Sequence, residues 1–494
     1  MRRQRSPLRA ATVGAAALAL TAAACQDDEP AASSPTEEPH VGAPAEFVTR
    51  PELTPPLIEV ETSGQVDPAD DDLMLVAPKG EESPMNSLLI ADAEGEPVWI
   101  QDTDGKSYDF RVQQYEGEPV LTYWRGESRE QGYGIGEFVI LDTSYEEIAT
   151  VTTKGTKADL HEMTITDDGT AFLVSYPTVG GQDLTELDGP RDGYVLDGVI
   201  QEIDIATGEV LWEWSALDHV ELSETLNKFE YREKQDGSKE QPFDYFHINS
   251  VTEDGDHLLA SARSTHAIYR IDRRTGEVDW TLGGSASDFE MDDDAVFAWQ
   301  HDAQRQPDGT ITLFDNESSP AVGEESRGMR LDVDTETMTA RVVTEYLPPD
   351  GRLAPSQGNL QVRENGNVVV GWGSEPFYSE YTADGELLTD WQFSGGQSYR
   401  AYRFPWRGQP SEPPAMVVED GTAWVSWNGA TDVASWRFLA GADADSATEV
   451  ATVERDGFET SAEVPDEPYV AVEALDADGE VLATAEPEAA SDGS

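Results

Sequence analysis

Short apolar runs alternate with turn residues from about residue 56 to residue 410. Many of these runs are rich in Val, Ile, Thr and aromatic residues, and Gly, Asn or Asp bounds them, as is typical of β-strands. No window of useful length shows an apolar period of 3.6 residues. The pattern therefore predicts an all-β chain.

A repeat is visible within this region. The segments 203–212 (IDIATGEVLW) and 271–280 (IDRRTGEVDW) are near copies, and weaker versions surround Asp92, Asp142, Asp332 and Asp384. The aspartates at the head of the six copies are spaced roughly 50 to 70 residues apart. Six units of this size are what a propeller of four-stranded blades would show, because each blade needs neighbours to bury its faces.

A second repeat lies out of phase with the first. It consists of a strand, an Asp-Gly or Asn-Gly turn and a more apolar strand, with turn glycines at Gly169, Gly255, Gly309 and Gly366. Glycine accepts the positive φ that a tight hairpin turn requires. In a propeller, the hairpin that opens a blade begins with the strand that lines the central channel.

Other segments depart from this rhythm. Insertions at 176–194 and 215–245 lengthen the third unit, and the second is polar, which is typical of a surface flap. From about residue 411 the pattern changes to one that resembles a fibronectin-like or immunoglobulin-like sandwich. We therefore divide the chain into a propeller at 56–410, a sandwich at 411–486 and a disordered tail at 487–494.

The charge of the chain excludes one class of partner. It has 98 Asp and Glu against 32 Lys and Arg, a formal net charge of −66, so a nucleic acid would be repelled. A hydrophobic content of 38% with 12 Trp nevertheless supports a large packed core. The excess of acid describes a solvated surface and says little about mechanism.

The amino terminus has the features of an export signal. Arg2, Arg3, Arg5 and Arg9 precede an apolar run from residue 10 to 24, and the only cysteine, Cys25, follows it. This run is too short to span a bilayer. We predict a signal peptide at 1–24, lipidation of Cys25, a disordered tether at 25–55 and attachment to the outer face of the cell membrane. The alternative is an ordinary secretory peptide with an incidental cysteine.

Three of the seven histidines share one position in the second repeat. His161, His247 and His301 each lie eight residues before a turn glycine, and Gly358 occupies the same position between Gln357 and Asn359. Asp109 is a looser match. If the hairpins are equivalent, the three imidazoles converge at one mouth of the channel. We expect a functional role for this set and structural roles for His40, His219, His257 and His266.

Two ligands are compatible with three imidazoles. A metal such as Zn or Cu is one. However, Asn249 lies two residues after His247, and Arg263 lies on the return strand of the same hairpin. Arginine repels a cation but, with His and Asn, matches a sulfate or phosphate group. We therefore predict an anionic ligand, with neither a metal nor another cofactor.

Six motifs stand out along residues 75–410. They are DLHEMTITDDGT (159–170), DYFHINSV (244–251), LLASAR (258–263), FAWQHDAQRQPDGTITLFDN (297–316), SQGNLQVRENGNVVVGWGSEP (356–376) and SYRAYRFPW (398–406). These motifs resemble those of the bacterial arylsulfate sulfotransferases, in particular an actinobacterial lipoprotein branch. This resemblance implies a six-bladed propeller, the architecture that the repeats also predict.

The resemblance also implies a mechanism. His301 would take the sulfuryl group from an aromatic sulfate donor and pass it to a phenolic acceptor, without a soluble nucleotide donor such as PAPS. His161, His247, Asn249 and Arg263 would hold the sulfuryl oxygens and stabilise the leaving phenolate. Further residues in or beside these motifs would bind substrate, and for the aromatic ones packing within the propeller is the alternative: Phe246, Trp299, Gln357, Asn359, Trp372 and Phe377.

The chain departs from the family as we know it, because its extra domain follows the propeller and a disulfide is impossible. Two other functions compete with sulfuryl transfer. The segment IDRRTGEVDW also resembles the closing motif of quinoprotein propellers, although only two full copies occur. A cell-surface propeller that binds an anion without catalysis is the third possibility.

Overall fold

The computed structural model describes residues 44–67, 70–231 and 234–485. The predicted signal peptide, Cys25, His40 and the tail at 487–494 lie outside the described residues. Within them, no helix is long and apolar enough to cross a membrane. The all-β prediction is confirmed, since the helical segments there are short 3₁₀ turns: Thr185–Leu187, Ala216–Asp218, Leu222–Glu224, Phe229–Tyr231, Arg263–Thr265 and Asp293–Ala295.

The strands follow one another along the chain with short connections. In the first half they are β1 (Ile58–Thr62), β2 (Leu73–Val76), β3 (Ser87–Ala91), β4 (Pro97–Asp102), β5 (Tyr108–Tyr115), β6 (Glu118–Ser128), β7 (Gly134–Leu141), β8 (Glu147–Val151), β9 (Met163–Ile165), β10 (Thr170–Ser175), β11 (Thr178–Gln182), β12 (Gly193–Leu196), β13 (Val199–Asp204) and β14 (Val210–Ser215).

The second half continues with β15 (Ile248–Asp254), β16 (His257–Ala262), β17 (Ala267–Asp272), β18 (Val278–Gly283), β19 (Glu290–Met291), β20 (His301–Arg305), β21 (Ile311–Asp315), β22 (Arg327–Asp334), β23 (Thr339–Tyr346), β24 (Asn359–Val362), β25 (Val368–Gly371), β26 (Phe377–Tyr381), β27 (Leu387–Phe393) and β28 (Ala401–Phe404). The carboxyl-terminal strands are β29 (Ala415–Glu419), β30 (Thr422–Ser426), β31 (Ser435–Gly441), β32 (Thr448–Glu454), β33 (Glu459–Glu463), β34 (Tyr469–Leu475) and β35 (Val481–Ala485).

Apart from the separate pair β11–β12, strands β1 to β28 build six successive sheets in the described part of the chain. Their orders are β28-β2-β3-β4, β5-β6-β7-β8, β9-β10-β13-β14, β15-β16-β17-β18, β20-β21-β22-β23 with β19 added, and β24-β25-β26-β27 with β1 added. Strands β2 to β4 thus take a partner from the far end of the region, since β28 pairs antiparallel with β2. Strand β1 likewise pairs with β27. The first strand of the region therefore belongs to its last sheet, and the last strand, β28, belongs to its first sheet.

The predicted hairpin repeats are confirmed. The turns with Gly169, Gly255, Gly309 and Gly366 join the first two strands of four of these sheets. All four glycines have a positive φ, between 65° and 90°, as tight turns require. The near-identical segments form the β13–β14 and β17–β18 hairpins at the other edge.

Apolar residues of neighbouring sheets form shared cores. One core combines residues of β10 and β13 with residues of β16 and β17. Tryptophan side chains tie adjacent sheets together, because Trp214 Nε1 donates to Gly276 O at 3.0 Å and Trp391 Nε1 donates to Ala93 O at 3.2 Å. The first strands of the sheets are thereby held in a fixed relation, which positions the site described below.

The two insertions differ in structure. Residues 178–196 form the separate β11–β12 ribbon, whereas residues 215–245 contain only 3₁₀ turns and loops in their described part. Strands β29–β30–β33 and β32–β31–β34–β35 form two sheets around one core that includes Trp436 and Phe438.

Residues 44–55, which the sequence analysis assigns to the tether, pack against the rest of the chain. The side chain of Glu459 accepts hydrogen bonds from the backbone of Val48 and Thr49 at 3.0 and 2.6 Å. The rings of Phe47 and Phe458 lie 4.3 Å apart, and Leu53 is buried. Because these apolar side chains are covered, a disordered tether would end before residue 44.

Candidate active site

Three histidines meet at the start of three successive sheets. His161 precedes β9, His247 precedes β15 and His301 opens β20. The ring centroid of His161 lies 4.8 Å from the ring centroid of His247 and 6.5 Å from that of His301. All three are buried, and all three line one pocket of about 650 Å³. A pocket of this size suits one small-molecule ligand.

The tautomer of His301 follows from its neighbour Asn316. The Asn316 amide nitrogen donates to Ala354 O at 2.9 Å and to Gln357 O at 3.0 Å, so its Oδ1 is the atom that faces the imidazole. The 2.6 Å contact between His301 Nδ1 and Asn316 Oδ1 therefore requires the proton on Nδ1. Nε2 then carries the lone pair, and the backbone N–H of Gln357 approaches it at 3.3 Å.

His161 and His247 have a different partner. Their Nδ1 atoms contact the carboxylates of Asp159 and Asp244, respectively. Such carboxylates fix the orientation of an imidazole and stabilise its charged form. His247 also has a φ of 61°, a conformation that is uncommon for residues other than glycine and that clusters at functional sites.

The electrostatic setting of His301 favours the neutral ring. Burial, then the positive charge of Arg263 and the neighbouring His161, hold the pKa of His301 well below its ordinary value. Burial also lowers the pKa of His247, against the opposing effect of Asp244. His301 is therefore a neutral imidazole at neutral pH, and its Nε2 accepts a hydrogen bond from the Gln357 backbone N–H.

The pocket reverses the sign of charge seen over the rest of the chain. Arg263 lies in it, buried, with its guanidinium 4.8 Å from the Trp299 ring and Nη2 donating to Pro355 O at 3.1 Å. The other charged lining residues are the cations Lys79, Lys106, Arg129 and Lys234 and the acids Glu130 and Asp244. In a chain of net charge −66, such a surplus of cations marks a site for an anion.

Several residues predicted for the site lie outside the pocket lining. Asn249 is buried behind it, where its Nδ2 donates to Gln300 O at 2.6 Å. Asn359 bonds through both side-chain atoms to the backbone of Ala401. Phe246 and Trp372 lie in hydrophobic cores, Trp299 donates through Nε1 to Pro320 O, and Phe377 packs under Arg352. Of the predicted substrate-binding set, only Gln357 lines the pocket.

The structure brings to the site further residues that were not predicted from the sequence. Asp159 and Asp244 stand two and three residues before their histidines, and Asn316 closes a quoted motif, so local spacing could have indicated them. Tyr399 lines the pocket and its hydroxyl donates to His161 O at 3.2 Å. Lys79 also lines the pocket, and its only sequence signal is rarity, since the chain has few lysines.

The remaining described histidines lie outside the pocket lining. His219 stacks on Trp214 at 5.1 Å, His257 lies 3.8 Å from an Asp279 oxygen, and His266 packs on Trp299 at 4.3 Å. No group of three or more His, Cys, Asp or Glu side chains in the described ranges is arranged to hold a metal ion.

The comparison with protein families gives this chain its class. The family model described as arylsulfotransferase (ASST) matches residues 111–394, more than half of the chain. The match includes all three histidines of the pocket and Arg263. The chain belongs to the arylsulfotransferase family.

Other comparisons add little. No curated protein matches the chain significantly. A protein of unknown function from Bacteroides caccae is 13% identical, with 68% of this chain and 99% of that chain covered and a TM-score of 0.39. A virginiamycin B lyase from Staphylococcus aureus is 11% identical, with 75% of this chain and 97% of that chain covered and a TM-score of 0.34. The β-propeller domain of Cps50 from Myceliophteria thermophila is 12% identical, with 67% of this chain and 97% of that chain covered and a TM-score of 0.32. At these scores the three structures carry no argument about this chain.

Proposed function

We propose that this protein is an aryl sulfotransferase that moves a sulfuryl group from an aryl sulfate to a phenol through a sulfo-histidine at His301. The observation that carries the proposal is the state of His301. Its Nδ1 proton is held by Asn316, its pKa is lowered, and the residue lines a pocket with surplus cations. Family membership supports the same chemistry.

The reaction has two steps that balance. In the first, the Nε2 lone pair attacks sulfur, an N–S bond forms, and the S–O(aryl) bond breaks so that the aryl oxygen leaves with the bonding electrons. In the second, the oxygen of the acceptor attacks sulfur and the N–S bond breaks. The acceptor's proton must be removed in this second step. Two such steps replace one difficult transfer.

The other pocket residues have roles in charge stabilisation. Arg263 offers a fixed fork of donors to the sulfuryl oxygens, which carry the negative charge in both steps. His161 and His247, each oriented by a carboxylate, present their Nε2 side to the same space. Asn249 acts by fixing the backbone at Gln300 beside His301.

The architecture we propose is a six-bladed propeller followed by an immunoglobulin-like sandwich. The six sheets, with β28 and β1 joining the ends of the region, support the propeller. The two sheets around one core support the sandwich. The polar insertion at 215–245 would cover the pocket in part, because Asn227 and Tyr231 line it.

The cellular location is proposed from the sequence alone. Export by residues 1–24 and lipidation of Cys25 would hold the enzyme on the outer face of the cell membrane. Globomycin, which blocks lipoprotein signal cleavage, should make the precursor accumulate, and Cys25→Ser should release the protein from membranes. If the untreated wild-type protein is already free of membranes, and globomycin causes no precursor to accumulate, the anchor is rejected.

Transfer by purified protein tests the activity. Wild type with 4-nitrophenyl sulfate and phenol should release 4-nitrophenolate and form phenyl sulfate, while His301→Ala should lose about 10³-fold or more. Mass spectrometry of wild type quenched without acceptor should find a sulfuryl group on the peptide that holds His301. Transfer by His301→Ala at the wild-type rate would reject the nucleophile.

The control is His257→Ala, which changes a histidine outside the pocket lining. It should leave transfer unchanged. If wild type binds aryl sulfates but transfers to no phenol, the protein is better described as a non-catalytic anion-binding module.

A further inference from the structure

Lys79 is a buried lysine that has no acidic partner among the described residues. It follows β2, and its backbone is fixed by two hydrogen bonds with Gln397, each of 3.0 Å. The residue is only 3% exposed and lines the pocket. Within the described ranges, its Nζ has Gln357 Oε1 as hydrogen-bond acceptor at 3.0 Å and the Tyr108 ring at 4.7 Å, and no carboxylate forms an ion pair with it.

A single residue joins Lys79 to His301. The backbone N–H of Gln357 approaches His301 Nε2, and the side chain of the same residue accepts from Lys79 Nζ. Gln357 is itself constrained, with a φ of 68° and a side-chain contact to Gln397. The amine is thereby held next to the space in which a group bonded to Nε2 would lie.

Burying a lysine without an acidic partner is unfavourable, so such a residue is usually explained by function. Burial and the neighbouring charge of Lys106 lower the pKa of Lys79 well below its ordinary value. A lysine whose pKa is lowered gives up its proton more readily than an ordinary lysine. An amine of this kind exchanges protons with a phenolic oxygen readily.

We propose that Lys79 is a catalytic residue that carries the proton of the aryl oxygen in both steps, a role that rests on the proposed sulfuryl transfer. In the first step, the S–O(aryl) bond breaks and the leaving oxygen takes a proton from the Lys79 ammonium. In the second step, the neutral amine takes the proton of the acceptor phenol while that oxygen bonds to sulfur and the N–S bond breaks. The ammonium is restored, and no other reactant is consumed.

His161 and His247 are less suited to this task. Each has Nδ1 against a carboxylate, which fixes the ring in one orientation. Lys79 is a buried pocket amine that lacks such a partner in the described part of the chain, so its charge can change when the aryl oxygen changes.

A series of donors tests the proposal. Lys79→Met and Lys79→Gln would be assayed with 4-nitrophenyl sulfate, whose leaving group needs no proton, and with phenyl sulfate and 4-methoxyphenyl sulfate, whose leaving groups do. We expect kcat for the last two donors to fall on the order of 10²-fold and for the first less than tenfold. The control is Lys154→Met, which alters an exposed lysine outside the pocket lining and should change neither.

Thermal unfolding separates this role from a structural one. Removing a buried charge without an acidic partner should keep or raise the Tm of the Met variant, whereas a structural lysine would lower it. The neutral, polar Gln variant keeps a hydrogen-bond donor at this position and repeats the kinetic test if the Met variant folds poorly.

The outcomes are distinct. An equal loss for all donors, or no loss, overturns the role of Lys79 and leaves sulfuryl transfer through His301 intact. Absence of transfer by wild type overturns both proposals. A loss that grows with the basicity of the leaving group, at unchanged Tm, supports the role of Lys79.

Discussion

Two buried groups of ionisable residues lie side by side in this protein and differ in the kind of partner that each residue has. In one, the Arg400 guanidinium is fully buried and donates to Asp109 at 2.9 Å and to Glu162 at 3.0 Å, with Arg111 joining the same carboxylates. In the other, the side chains of Lys79 and His301 bond to the amides of Gln357 and Asn316.

The two groups are joined through consecutive residues. The Tyr399 hydroxyl contacts the backbone of His161 in the pocket, and the next side chain, Arg400, donates to the backbone of Asn249 behind it. Buried charges that are paired keep their charge and hold the structure together. Buried bases that face amides can change their protonation or bond to a ligand, so the amide partners of Lys79 and His301 fit the reactive roles proposed for these two residues.

The largest effect is expected from breaking the paired group. Arg400→Met leaves the buried carboxylates of Asp109 and Glu162 without one of their two arginine partners, and it should lower the free energy of unfolding by about 3–5 kcal/mol. Urea unfolding followed by tryptophan fluorescence measures the change.

Arg274→Met is the matched control. Arg274 is 81% exposed and lies 3.8 Å from its partner Asp272, so its loss should cost less than about 1 kcal/mol. Equal losses in the two variants would mean that the buried network adds no special stability.

The same contrast marks what the sequence could predict. The Gly-containing hairpins have a local signal, and the shared spacing from histidine to glycine placed His161, His247 and His301 correctly at the starts of strands. Tyr399 and Lys79 reach the pocket from opposite ends of the region, because β28 pairs with β2. That pairing joins residues more than 300 positions apart, and no local pattern encodes it.

The aromatic residues predicted to bind substrate lie outside the pocket lining for a related reason. Phe246 and Trp372 lie in motifs beside functional residues, yet an apolar side chain next to a site is free to point into the core between sheets. Periodicity indicates which faces are buried, but it does not distinguish a core from the wall of a pocket.

The second-largest effect is expected when His301 receives an acidic partner like those in the paired group. Asn316→Asp places a carboxylate on His301 Nδ1 and should raise the pKa of that ring. Because the nucleophile must be neutral, activity should be lost as the pH falls through the raised pKa. The pH profile of kcat/KM should therefore show an acid limb at higher pH than in wild type, with a loss on the order of tenfold when the pH is about 1 below the new pKa.

Recovery at high pH is the decisive part of this experiment. If His301 acts as a neutral base, raising the pH should restore much of the activity of Asn316→Asp. The control Asn365→Asp makes the same change in an exposed turn and should keep the wild-type profile. A uniform loss at every pH would show that the amide acts through geometry and not through the pKa of His301.

The smallest effect is expected at the pocket rim, where cations are solvated. Lys234 is 49% exposed and pairs with the still more exposed Glu130, so screening weakens its attraction for an anionic donor. Lys234→Ala should raise KM for an aryl sulfate less than about threefold, and this difference should vanish at high salt because exposed charges are screened within about 10 Å at 0.1 M. The free energy of unfolding should change by less than about 0.5 kcal/mol. A large effect on kcat that persists at high salt would place Lys234 among the reacting groups. It would contradict the expectation that solvated cations contribute less than buried ones.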